Sequence, residues 1–290
     1  MPELPEVETV LSGLRAALEG KIIENIELKR DHLRTPIPRD LPQKLKGRKI
    51  DHFIRRGKYM ALLPGVNLQG EPPESALIWH LGMSGRVRIY AEPNEYAPQK
   101  HDHIIIRAYN KKDRILIIYE DPRRFGMFYS LPFANWETHE PFVSMGSEPL
   151  SNHWTCEHFS AQLQNRSAPI KNALLDQRVV AGFGNIYVCE ALHGAHISPL
   201  RPANTLSAKE SEKLLREGQA VLKRAIEAGG STLRDYRQAD GSLGYFQHNF
   251  SVYDREGEAC VTCAKNGKKS VIIRIVQSGR SSFYCPLCQI

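Results

Sequence analysis

Apolar positions recur at helical spacing at the start of the chain. Val7, Val10, Leu11, Leu14 and Leu18 lie three and four residues apart, Pro5 suits a first helical turn, and Gly20 closes the run. Glu3, Glu6 and Glu8 sit in or before that first turn, where the helix dipole favours anions. From about residue 21 to residue 133 the texture is β instead. Segments 22–28, 49–54, 59–63, 76–81, 86–90, 103–109 and 114–119 read as short strands separated by polar turns, and 65–75 reads as a polar loop. Strands of this kind predict a sandwich or barrel. After about residue 149 the period returns to that of helices. Segments 156–164 and 169–177 are short helix candidates, and the glycine-bearing turn Ala181-Gly182-Phe183-Gly184-Asn185-Ile186 leads into a third. Ser207 with Glu210 predicts a capping box for a longer helix carrying Leu214, Leu215, Val221, Leu222 and Ile226, which stops at Gly229-Gly230.

Composition narrows the function classes. A chain of 290 residues that is 41% hydrophobic can bury a sizeable core, as two domains. A net charge of +7 favours a polyanionic partner. No run of 18 apolar residues exists, so no membrane span is expected. The acidic opening Met1-Pro2-Glu3-Leu4-Pro5-Glu6 is no signal peptide, so an intracellular protein is expected.

Cys156 and Cys189 stand alone and read as small buried residues. Cys260 and Cys263 form one pair with two intervening residues, and Cys285 and Cys288 form another. In a reducing compartment this spacing reads as one structural zinc ion held by four thiolates, each pair forming a knuckle. Between the knuckles, 270–276 is strand-like, 277–280 is turn-like and 281–284 returns, which makes a zinc-pinned β-hairpin. From residue 255 onward six basic residues face two glutamates, a balance of +4, and Arg280 sits at the tip. A cationic tip suits a nucleic-acid groove.

Several motifs now stand in one order along the whole chain. They are Pro2-Glu3-Leu4-Pro5-Glu6-Val7-Glu8-Thr9, His80-Leu81-Gly82-Met83-Ser84-Gly85, Lys100-His101-Asp102-His103, Asp121-Pro122-Arg123-Arg124-Phe125-Gly126, Gly184-Asn185-Ile186-Tyr187 and the paired cysteines. In this series the chain resembles bacterial formamidopyrimidine-DNA glycosylases, of the family shared with endonuclease VIII. The resemblance implies an α+β multidomain fold. Its parts are an N-terminal β-sandwich with an N-terminal helix (1–135), a linker (136–150), a helical domain with a helix-two-turn-helix (151–250) and a C-terminal zinc-finger β-hairpin (251–290). It also implies excision of oxidised purines from double-stranded DNA, followed by strand cleavage, by a monomer in the bacterial cytoplasm at the nucleoid.

The same resemblance assigns roles. Pro2, freed of Met1, is the amine nucleophile, and Glu3 is the acid/base beside it. Lys58 assists the first elimination and Arg280 the second. A guanidinium stays charged at any working pH, so phosphate clamping is the better reading for Arg280, with proton donation the alternative. Met83, Arg123 and Phe125 match the residues that fill the hole left by a flipped-out base. His80, His101, Arg124, Arg166, Lys171 and Asn185 match phosphate contacts, and Asn185 also begins a helix. Glu6 is placed near the flipped base, and 236–250 resembles the loop that covers it. Two rivals differ in their prediction. An endonuclease VIII-type enzyme would prefer oxidised pyrimidines, but the Leu4-Pro5-Glu6 opening and the Met83, Arg123, Phe125 set argue against it. A non-catalytic binder of damaged DNA is disfavoured by intact Pro2, Glu3 and Lys58.

Overall fold

A computed structural model describes residues 1–91, 96–232, 239 and 242–290. The chain divides into two compact units, the first comprising Met1–Val143 with Ala228–Tyr245 and the second Ser144–Glu227 with Phe246–Ile290.

Unit 1 opens with helix α1 (Leu4–Leu18). Glu3 is its N-cap and Glu6 its third residue, and the two form a reciprocal capping box in which the Glu3 N–H donates to the Glu6 carboxylate at 2.9 Å. Beyond the helix come β1 (Ile22–Leu28), the short helix α2 (Leu41–Leu45), β2 (Arg48–Arg56), β3 (Tyr59–Asn67), β4 (Ser75–His80), β5 (Arg86–Ala91), β6 (Asp102–Tyr109), β7 (Arg114–Glu120) and β8 (Met127–Pro132). All pairings are antiparallel, in the order β5-β7-β6-β1-β2-β3-β4-β8. The β1–β2 link is a single pair, Ile22 with Lys49, so the ladder hinges there into two four-stranded leaves. One core takes the inward residues of both. Ile23, Ile26, Ile104, Ile106 and Ile117 come from the first leaf, and Met60, Leu62 and Leu77 from the second. The apolar stripe of α1 joins the same cluster. At its centre Tyr119 of the first leaf meets Trp79 and Phe128 of the second, with ring centroids 5.3 and 5.1 Å away. Such pairs add roughly 0.5–1.5 kcal/mol each beyond the area they bury.

The loop expected at 65–75 is shorter, because β3 runs on to Asn67 and pairs there with Arg48. Two side chains account for the extension. The Arg48 guanidinium donates to the carbonyls of Gly65 (3.0 Å), Glu71 (2.8 Å) and Pro72 (3.2 Å). The Asn67 side-chain oxygen accepts from the amides of Gln69 and Glu71 at 3.0 and 2.8 Å. A Cβ at Gly65 would stand 2.0 Å from the Asp51 carboxylate, so any other residue there would push that exposed side chain aside.

Unit 2 holds α3 (Cys156–Gln164), α4 (Ile170–Leu175), α5 (Asn185–Ala195), α6 (Ala208–Glu227), the short α7 (Val261–Lys265) and the hairpin β9 (Ile273–Gln277) and β10 (Arg280–Tyr284). The expected box before α6 is formed: the Ser207 N–H donates to Glu210 at 2.8 Å and the Glu210 N–H to the Ser207 hydroxyl at 3.3 Å. Eight of the eleven residues of α5 are buried, which makes it the spine of this unit. The Glu190 carboxylate on α5 accepts the consecutive amides of Ser251, Val252 and Tyr253 at 2.8, 3.0 and 2.9 Å. Cys189 packs with Val252, Cys260, Cys263, Ile272, Phe283 and Cys285 in one cluster. The strand expected over 270–276 begins later, because its first residues pair elsewhere. The Cys260 amide donates to the Ser270 carbonyl and the Ile272 amide to the Glu258 carbonyl, both at 2.9 Å. The hairpin closes through Ser278 and Gly279, both left-handed (φ 47° and 73°), as a two-residue turn of twisted strands requires.

Candidate active site and nucleic-acid interface

In unit 1 the helix start and the β2–β3 turn lie at one end of the sandwich. The Arg55 guanidinium donates to Glu8 at 2.8 Å, tying the early turns of α1 to the end of β2, three residues before Lys58. Pro2, Glu3 and Lys58 are all buried. The Glu6 carboxylate is 2% exposed, and its two oxygens divide between the Glu3 amide and the Ser231 amide, the latter at 2.8 Å. It therefore links the N-terminal segment to Ser231. Of the expected lesion-covering loop, 236–238 and 240–241 lie outside the described residues.

His80 faces Tyr59 across β3 and β4. Burial, with the neighbouring charges of Lys58 and Arg34, lowers its pKa to about 4, so the ring is neutral at pH 7. Its Nδ1 accepts the Gly82 amide at 3.0 Å, which leaves the proton on Nε2. His80 thus offers a neutral N–H donor.

Two turns come together beside it. Ser84 donates to Asp121 at 2.6 Å and accepts the Arg123 amide at 3.0 Å. The other Asp121 oxygen accepts from Tyr119 (3.1 Å) and from the Gly126 amide (2.8 Å). Gly82 allows the close approach, since a Cβ there would lie 2.3 Å from the Phe125 backbone. This frame presents Met83, Arg123 and Phe125 from neighbouring turns. Phe125 is 40% exposed, with the Arg123 guanidinium 5.1 Å from its ring centroid. Arg124 is exposed and left-handed (φ 58°), an uncommon conformation for a residue with a side chain. His101 is half-buried. His103 is buried, its Nε2 2.8 Å from the Asp121 carbonyl. The residues that sequence reasoning missed are the framing ones, Ser84, Tyr119 and Asp121. Ser84 and Asp121 stand inside the quoted motifs, but nothing in the motifs shows that their side chains meet.

In unit 2 Arg280 is exposed at the hairpin turn. Lys171 is 0% exposed, and its ammonium donates to the Ser281 carbonyl (2.7 Å) and the Ser282 hydroxyl (2.6 Å). Asn185, the first residue of α5, donates to the same Ser281 carbonyl at 2.9 Å. Both side chains thus brace the hairpin from inside the helical unit. Arg166 pairs with Asp176 at 3.2 Å.

The four finger cysteines converge. Their Sγ atoms all lie within 4.8 Å of one another, with Cys263–Cys285 at 3.6 Å and Cys260–Cys288 at 3.7 Å. A tetrahedral ion with thiolate bonds of about 2.3 Å requires edges of about 3.8 Å, so the donor set fits a metal ion. Burial raises the Cys285 thiol, but the Ser270 hydroxyl and the amides of Cys288 and Leu287 outweigh it and draw it down to about 6. The His193 Nε2 stands 3.7 Å from the Cys260 sulfur.

A β-sandwich with a buried Pro2-Glu3 pair, and a helical unit ending in a four-cysteine hairpin with an arginine tip, together define a class: a nucleic-acid-processing enzyme with a finger. Comparison with known proteins narrows it. Residues 1–128 match the formamidopyrimidine-DNA glycosylase N-terminal domain, and residues 145–237 match the formamidopyrimidine-DNA glycosylase H2TH domain. The chain belongs to the formamidopyrimidine-DNA glycosylase family. A formamidopyrimidine-DNA glycosylase of Roseobacter denitrificans is 45% identical over 295 residues, covering 100% of both chains. A Lactococcus lactis FPG mutant, solved with Fapy-dG-containing DNA, is similar with a TM-score of 0.86 and 32% identity, over 99% of each chain. MutM solved with DNA containing carbocyclic 8-oxo-G is similar with a TM-score of 0.83 and 34% identity, again over 99% of each chain.

Proposed function

We propose that this protein is a base-excision-repair DNA glycosylase with AP lyase activity, which removes 8-oxoguanine and formamidopyrimidines from duplex DNA. The observation that carries the reading is the Pro2-Glu3 pair, buried at the start of α1, whose Glu8 is bonded to Arg55 of the strand that leads to Lys58, in a chain of this family. Once Met1 is removed, Pro2 has a secondary amine. Terminal amines have pKa values near about 8, and the positive end of α1 favours the neutral form further. The neutral amine attacks the anomeric carbon as the damaged base departs. Glu3 moves protons at the sugar. The resulting cationic Schiff base acidifies the adjacent carbon, and the 3′ phosphate leaves, then the 5′ phosphate. Lys58 assists the first elimination. Arg280 clamps a phosphate, because its guanidinium holds its charge and proton too firmly to serve as an acid.

Met83, Arg123 and Phe125 fill the hole left by the flipped base. His80, His101, Arg124 and Arg166 contact phosphates. Lys171 and Asn185 act mainly by aiming the hairpin that carries Arg280, a role supported by their hydrogen bonds to Ser281. Glu6 serves the lesion pocket through its two backbone partners, Glu3 and Ser231. The metal is zinc, because an all-thiolate tetrahedral site suits it, and its role is structural. We assign 1–135 to catalysis, 136–150 to a linker, 151–250 to DNA binding and 251–290 to the finger. The enzyme works as a monomer in the cytoplasm, at the nucleoid.

Borohydride trapping on a duplex with 8-oxoguanine opposite cytosine tests lesion choice and covalent chemistry together. A covalent adduct at the N-terminal proline is expected. Trapping on oxidised pyrimidine alone would instead favour the endonuclease VIII-type reading.

A further inference from the structure

A cavity of about 690 Å³ lies in unit 1, walled by the end of β1, the start of β6 and the 121–124 turn. Its cationic side chains are Lys29, Arg30, Lys100 and Arg124, and His101 stands among them. The floor is preformed by backbone hydrogen bonds. The Lys29 amide donates to the His103 carbonyl at 2.9 Å, the Asp121 amide to the His101 carbonyl at 3.0 Å, and the Arg124 amide to the Asp121 carbonyl at 3.2 Å. One carboxylate, that of Asp102, lies in the wall, and it is already engaged. It is buried and accepts from Arg88 (2.5 Å), the Tyr96 hydroxyl (2.7 Å) and the Gln99 amide (2.7 Å). Lys29 reaches Glu27 at 3.0 Å, with both side chains about a third exposed. A pair of that kind is worth about 0–1 kcal/mol, so a phosphate can replace the glutamate.

The chemistry of the lining selects the occupant. Several cations with no available acid select an anion of more than one charge. No Phe, Tyr or Trp is among the described lining residues, so no large aromatic ring offers a base a stacking platform. That disfavours a mononucleotide and favours a bare sugar–phosphate backbone. Arg124 belongs to the same turn as Arg123 and Phe125, which places the cavity beside the hole-filling group.

We propose that Lys29 and Arg30, with Lys100, form a phosphate-binding pocket that grips the duplex backbone outside the lesion and extends the contact begun by His101 and Arg124. The proposal rests on the DNA-processing reading above. It adds contacts that depend on neither the lesion nor the base sequence.

The test uses full-length, metal-loaded protein and an undamaged duplex, so that no chemistry intervenes. Binding is followed by fluorescence anisotropy across a salt series for the parent, Lys29→Glu/Arg30→Glu and the neutral Lys29→Gln/Arg30→Gln. Two lost phosphate contacts flatten the log–log salt slope by about two units. We expect that flattening in both variants, an affinity loss of at least about tenfold for the charge reversal at low salt, and loss of phosphate-ethylation interference at one or two positions. Variants with the parent's slope and interference pattern overturn the proposal. So does a variant that loses interference at every phosphate together, because the pocket is then not a local contact. If the parent itself does not bind duplex DNA, the underlying reading fails; if the parent binds and the variants match it, only the pocket fails.

Discussion

The two units hold their functional turns by opposite means. In unit 1 the sandwich core stands on its own, and buried carboxylates brace turns attached to it. Asp121 gathers Ser84, Tyr119 and Gly126, and Glu6 gathers the Glu3 and Ser231 amides. In unit 2 the functional turn is a two-stranded hairpin, too small to be stable alone. It depends on four cysteines, on the Glu190 carboxylate and on the Lys171 ammonium. The lesson is that damage to a brace in unit 1 should cost function before stability, whereas in unit 2 the two should be lost together.

Metal removal is the largest break in that comparison. Zinc binding supplies on the order of 10 kcal/mol or more to the folding of such modules. A chelator should therefore abolish duplex binding while the β-sheet circular dichroism of unit 1 persists. Verified metal-free protein that binds duplex with unchanged affinity would show that the finger is dispensable.

Next in size is Glu3→Gln, which should retain lesion binding and lose excision by about 100-fold or more, since it removes proton transfer with little change of shape. Stopped-time cleavage assays at saturating enzyme measure this, and a thermal midpoint close to the parent's would place the effect in chemistry. Loss of Met1 matters equally here. Protein with Met1 proven intact by mass spectrometry has its Pro2 nitrogen locked in an amide, and full activity from it would remove Pro2 as the nucleophile.

Glu190→Ala sharpens the contrast from the other side. It strands three consecutive amides, that of Val252 buried and those of Ser251 and Tyr253 part-buried, and an unsatisfied buried group costs about 1–3 kcal/mol. Thermal unfolding should show a large loss of stability, with DNA binding falling in parallel. Asp121→Asn should instead cost less stability and more function, read as weaker response of a fluorescent base analogue opposite the lesion. If the two variants show the same ratio of stability loss to functional loss, the contrast between the units is wrong.

Arg280→Ala is a smaller perturbation, because the side chain is exposed. It should flatten the salt dependence of duplex binding by about one unit and weaken all sequences alike. The smallest effect is the pH response of His80. Its pKa is depressed to about 4 by burial, while an unfolded histidine titrates near about 6.5. The unfolded state therefore takes up its proton first as pH falls. The stability due to neutral His80 is complete above about 6.5 and is lost progressively towards 4. Comparing melting temperatures of the parent and His80→Gln across that window checks the sign. A parent that gains stability relative to the variant on acidification would contradict it.

Much of this molecule is legible before any coordinates. Period-two segments point to most of the strands, the three-and-four spacing points to α1 and α6, and the Ser207–Glu210 capping box can be read directly, because caps and periodicity are local rules; the Glu3–Glu6 box and strand β8 emerge only in the fold. The cysteine spacing announced a metal site for the same reason. The 65–75 segment departs from its local pattern because Arg48, distant in sequence, holds Gly65, Glu71 and Pro72 and lengthens β3. The onset of β9 lies later than the local pattern predicts because Ser270 and Ile272 pair with Cys260 and Glu258 at the first knuckle.

By itself, then, the sequence determined most of the helix and strand segments, the family to which the chain belongs, and that four thiols would meet. Only the tertiary structure decided how charged groups are used. Lys58, Lys171 and Arg280 are all cations in sequence, yet one is buried at the turn between β2 and β3, one is wholly buried against Ser281 and Ser282, and one is exposed at the finger's tip. Likewise Glu6 and Asp121 read as ordinary acids, and only folding turns them into acceptors that brace remote turns. The physical reason is distance along the chain. Propensity, capping and knuckle spacing act within a few residues, whereas a side chain's solvation, partners and protonation are set by neighbours tens to hundreds of positions away.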